Sequence, residues 1–183
     1  MGQYYYPIIL DAEGKIVVWM NAGLYNSGLK LTEHSYIDSI FVNTFESLLS
    51  PDGPYHRSRI VWAGDYADKE PGKDKNLYEL CDDYKLISPP HKSAAMYPYI
   101  VNHTKRQYVD KRQYVDKRQY VDKRQPISSL HPLPLLTVEG NGRGGGDLHH
   151  APPIVGSWAR DVISVEQSVD EGFEQIAFDI SCD

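Results

Sequence analysis

A chain of 183 residues, 41% hydrophobic and 24% charged, has the composition of a globular protein and enough length for one domain with a substantial core. Its net charge of −6 excludes the broad basic footprint that general nucleic-acid binding needs. No apolar run reaches the length of a membrane span, and Met1 to Leu10 lacks the basic segment and long apolar stretch of a secretory leader. Cys81 and Cys182 stand outside any CxxC or metal-finger spacing. A reduced, cytoplasmic protein with no cofactor is therefore expected.

Tyr4 to Leu10 and Lys15 to Asn21 read as two strands joined by Asp11-Ala12-Glu13-Gly14, a hairpin loop whose glycine supplies a positive φ. Pro7 marks the first as an edge or bulged strand. The second is apolar on both faces, the pattern of a central strand covered by helix on at least one side. After a loop to Lys30, Ser35 with Asp38 three residues on is the expected N-cap of a helix over about 36–49. Its Ile37, Ile40, Phe41, Phe45, Leu48 and Leu49 form one apolar stripe. RIVWA at 59–63 is a third strand running into Gly64-Asp65-Tyr66, and Leu77 to Tyr84 a short helix. Met96 to His103, Leu133 to Val138, Val162 to Val165 and Gln175 to Ile180 complete the strands. The whole predicts an α+β fold, a single domain over 1–183, with a roughly six-stranded, mainly antiparallel sheet packed by the one main helix.

Residues 105–125 read KRQYVD KRQYVD KRQYVD KRQ. Natural repeat architectures use units of about 20–50 residues, and six is too short for a supersecondary piece. In a strand, Lys, Gln and Val of each unit share one face and Arg, Tyr and Asp the other; in a helix no apolar stripe forms. The expectation is a surface arm, helical or extended, from which residues 111–122 could be deleted for less than about 1 kcal/mol.

Two segments carry the candidate ligand chemistry. Gly140-Asn141-Gly142-Arg143-Gly144-Gly145-Gly146 combines backbone freedom with a guanidinium, so Gly142, Arg143 and Gly144 form a candidate anion loop. It lacks the Lys-Ser/Thr of a Walker loop and the helix that follows a dinucleotide fingerprint. Asp65 and Tyr66, at the end of a strand, are candidate ligand-binding residues, with an ordinary turn as the alternative. Asp147, His149 and His150 are the one acid–histidine cluster, a weak metal candidate for which His131 or His103 would be a further ligand by proximity in sequence only.

The phrases MGQYYYPIILDAEGKIVVWM, LKLTEHSYIDSIFVNTFESLL, RIVWAGDYAD and HPLPLLTVEGNGRGGGD resemble a group of small proteins encoded by bacteria and their phages. That group carries no assigned reaction, and the resemblance implies a role such as antagonising host defence. Fourteen tyrosines and the absence of a recognisable catalytic signature point to a non-enzymatic binding protein, its partner a protein or a small anionic or nucleotide ligand. The alternatives are a small hydrolase or transferase acting on a phosphorylated substrate, and an assembly component whose repeat arm reaches a second copy in a homo-oligomer.

Overall fold

A computed structural model describes residues 3–93, 96–115, 130–140 and 152–178. It is a mixed α+β fold built on one open, mainly antiparallel sheet. In chain order the strands are β1 Tyr5–Leu10, β2 Ile16–Trp19, β3 Ser58–Gly64, β4 Lys85–Leu86 and β5 Tyr99–Asn102. They continue with β6 Gln107–Asp110, β7 Val138–Glu139, β8 Val162–Glu166 and β9 Glu174–Gln175. Across the sheet the order is β4-β2-β1-β3-β8-β5-β6-β9, with β7 beside β3. The excess over six strands comes from β4, β7 and β9, two residues each, which pair parallel with β2, β3 and β6. The helices are short: α1 Leu31–His34, α2 Ile40–Leu48, α3 Leu77–Leu80, α4 Arg112–Val115 and α5 Pro132–Thr137. Among the described residues no helix is long and apolar enough to cross a membrane.

Alternation along the central strands makes two apolar faces. Tyr5 and Ile9 of β1 with Ile60 and Trp62 of β3 meet Phe41, Phe45 and Leu49 from α2 and its C-terminus, and Leu136 of α5. Ile8 and Leu10 with Val61 and Ala63 meet Leu77 and Cys81 on the other side. The period of two puts each set on its own face.

Four expectations are corrected. β1 is neither an edge strand nor bulged at Pro7: it lies between β2 and β3, and the irregularity falls between Ile9 and Leu10. Pro7 is tolerated because its carbonyl accepts from the Met20 N–H at 3.1 Å, just past the end of β2. The N–H it lacks would face that same side, where the ladder has ended. The main helix starts later than predicted: Ser39, not Ser35, caps α2, its Oγ accepting from the Val42 N–H at 3.3 Å. Asp38 is left-handed at φ 72° and breaks the helix before it, and the Ser35 carbonyl instead accepts from the His131 N–H.

Pro132–Thr137 is a helix where a strand was predicted. His131 caps it and both prolines fall in the first turn, where the N–H groups they lack have no helical partner.

The fourth correction concerns the repeat. Its first unit is not a surface arm: Gln107–Asp110 is β6, paired with β5 and β9, and Val109 is fully buried. Gln107, Val109 and Lys111 share the inward face, and the polar pair succeed there because each meets a partner. The Trp158 indole donates to Gln107 Oε1 at 3.1 Å, and Lys111 donates to Glu46. The apolar stripe found wanting in the sequence is replaced by satisfied polar groups. The rest of the repeat, from residue 116, lies outside the described residues.

Candidate functional site

α2 carries only one charged residue along Ile40–Leu48, the mark of a helix buried nearly all round. Asn43 and Glu46, three positions apart, lie on one face of it, and both are buried. Glu46 Oε2 accepts from Lys111 Nζ at 2.7 Å, with both side chains about 95% out of solvent (5% and 4% exposed). Glu46 Oε1 stands 2.9 Å from His131 Nε2, out of line for a hydrogen bond. His131 caps α5 by accepting the Leu133 N–H on Nδ1 at 3.1 Å, which leaves the ring proton on Nε2, the nitrogen beside Glu46. Burial by itself pushes the Glu46 carboxyl up, but the charge and hydrogen bond of Lys111, with the His131 ring beside it, outweigh it and hold the pKa at about 2.

Two cavities open beside this cluster. One, of about 410 Å³, lies between α2 and the segment around Pro89, Pro90 and Lys92, with Ser47 of α2 and Ser50 just beyond its C-terminus on one wall. The other, of about 400 Å³, is bordered by Asp38, Lys111, Arg112 and His131. Asn43, Met96 and Tyr97 line both, so the cavities adjoin. Their outer wall is fastened to the body. The Tyr25 hydroxyl donates to the Pro89 carbonyl at 2.7 Å, and Thr44 Oγ1 accepts from the Lys92 N–H at 2.9 Å. Where they meet, Asn43 is 3% exposed, and neither its Nδ2 nor its Oδ1 has a partner. A buried polar group left unsatisfied costs about 1–3 kcal/mol, so this amide is a feature that needs an occupant to explain it.

The sequence candidates fall elsewhere. Asp65 closes a turn: its Oδ1 accepts from the Tyr4 N–H at 3.1 Å and its carbonyl accepts from Asn76 Nδ2 at 3.0 Å. Tyr66 beside it is 49% exposed. Neither borders the cleft. Gly142, Arg143 and Gly144, and Asp147, His149 and His150, lie outside the described residues. Among the described residues no group of three or more His, Cys, Asp or Glu side chains is placed to hold a metal ion. At the entrance to the glycine-rich segment, Arg160 is itself committed, spanning Glu139 (2.9 Å from its Nε) and Glu70 (3.1 Å).

A second polar chain links His103, Ser164, Glu166 and His56. Ser164 is fully buried and donates to Glu166 Oε1 at 2.8 Å, so His103 Nε2, 2.7 Å from the same hydroxyl, is the donor there. Burial, followed by the Arg57 charge, keeps the His103 pKa low. A general base must accept the serine proton; here the imidazole gives one, so the chain fastens β8 to its neighbours and activates no nucleophile. His34 is similarly spoken for. Its Nδ1 donates to the Gly28 carbonyl and its Nε2 accepts from the Trp62 indole, both at 2.9 Å, and burial lowers its pKa to about 4.

Nothing in the local pattern singled out Asn43, Glu46 or Lys111, and His131, a candidate metal ligand by sequence proximity, instead caps α5 beside Glu46. The available signal was the near absence of charge from Ile40 to Leu48, which argues that Glu46 is buried and requires a cation. No protein-family model, curated protein or solved structure matches this chain.

Proposed function

We propose that the protein binds a small polar ligand in the cleft that α2 forms with residues 89–93 and 96–98. The observation that carries this reading is the Asn43 amide, buried and unpaired where the two cavities meet. Each cavity falls in the range of about 300–1,000 Å³ common to small-molecule sites, and the walls combine apolar Pro, Met and Tyr with a few polar groups. Lys92, on the wall of one cavity, offers positive charge to an anionic substituent. Glu46, ionised far below neutral pH and engaged through Oε2 by Lys111, has no proton to give as a general acid.

A thermal-shift screen of a metabolite set tests it, with Met96→Trp as the control. Met96 is exposed and lines both cavities, so the indole fills the cleft without entering the core. The expected result is at least one compound that raises the Tm of the parent and not of Met96→Trp. No stabilising compound, or equal shifts in both proteins, overturns the reading.

A further inference from the structure

The unanswered amide also specifies what the ligand presents to it. A carboxamide offers one acceptor and two donor hydrogens in a single plane. At Asn43 both sides are unpartnered, while Glu46 and Lys111, which border the two cavities, pair with each other. One ligand edge that satisfies the two halves together must hold a donor beside an acceptor, in one plane and rigidly. Phosphate and carboxylate offer acceptors alone, an ammonium donors alone, and a sugar hydroxyl fixes no plane. Resting on the binding reading above, we propose that the cleft takes a nucleobase, paired through its donor–acceptor edge with the Asn43 amide. This is the bidentate geometry by which Asn reads the N6–H and N7 of adenine. Tyr97 and Met96, shared by both cavities, supply the aromatic and thioether surface against which a base face packs.

The experiment is isothermal titration of the purified protein with adenosine and uridine, beside N6,N6-dimethyladenosine and N3-methyluridine, whose methyl groups remove the donor. At least one parent nucleoside should bind, and its methylated form should bind about tenfold or more weaker. Asn43→Leu, nearly isosteric, should abolish that binding and leave Tm unchanged or raised, because it removes an unpaired buried amide. An asparagine with a merely structural role would lower Tm instead. The proposal is overturned if methylated and parent nucleosides bind equally, if Asn43→Leu binds like the parent, or if Asn43→Leu lowers Tm and keeps the methyl discrimination. Failure of every nucleoside while another small molecule is excluded by Met96→Trp defeats the nucleobase and leaves the binding reading standing. Failure of all compounds defeats both.

Discussion

Residues 105–110 and 111–115 carry the same sequence, KRQYVD and KRQYV, and do different things. In the first copy Lys105 pairs with Asp161 with its side chain 42% exposed; in the second, Lys111 pairs with Glu46 at 5% exposure. Arg106 turns the chain at φ 55° and lies over the Phe173 ring, whereas Arg112 opens α4 and donates to Asp110 and Tyr99. Tyr108 stands half-buried against Tyr99, while Tyr114 is in the core against Phe178. One copy is a strand and the next begins a helix. A hexapeptide has no conformation of its own to defend, because its propensities differ by tenths of a kcal/mol while burial and ion pairing are worth several. The environment decides.

The sharpest way to break the comparison is to remove the lysine from each copy. Lys111→Met leaves Glu46 buried with His131 alone and should cost about 3–5 kcal/mol in chemical denaturation, the scale for losing one partner of a buried pair. Adding Glu46→Gln to it should recover part of that loss, since no buried charge is then left unpaired.

Copy number comes next in size. Deleting residues 111–122 brings KRQPISSL up behind Asp110, so a lysine still stands at the position of Lys111 but proline replaces Tyr114. The cost should be about 3 kcal/mol, near that of truncating a buried aromatic, and not the near-zero of a surface arm. Tyr114→Ala should reproduce it, whereas Tyr108→Ala should cost clearly less.

Acid separates the copies further. The Glu46 pKa is depressed from 4.5 to about 2, so its contribution is complete above about pH 4.5 and is lost as pH falls toward 2. Thermal unfolding across that window should show a steep acid limb in the parent and in Lys105→Met, and a shallower one in Lys111→Met. His34, lowered from 6.5 to about 4, adds an earlier loss between those values, because protonation there must break the bond from Trp62.

The smallest effects belong to the exposed Lys105 pair and to the loss of a single unit. Lys105→Met should shift unfolding by less than about 1 kcal/mol, as expected of a pair screened by solvent. Deleting one unit gives the same sequence whichever unit is removed, and Lys111 and Tyr114 keep their equivalents. Its unfolding free energy should stay within about 1 kcal/mol of the parent.

Periodicity was readable where one side of an element alone decided its fate. The alternation in β1 and β3, the strand at 162–166 and the Phe41/Phe45/Leu48 stripe all stand where local pattern put them, because burying apolar area needs no particular partner. Local signals failed where two acceptable choices competed: Ser35 and Ser39 are equally good caps, and Pro132-Leu133-Pro134 suits a first helical turn as well as a broken strand. Of the cleft, the sequence held one sign, a helix with too little charge. What Lys111 and Glu46 became rested on their meeting across 65 positions, and the unpaired state of Asn43 on what did not come near it. A buried charge or amide is stable or costly only through the atoms around it, and those are brought together by the folded chain and not by sequence neighbours.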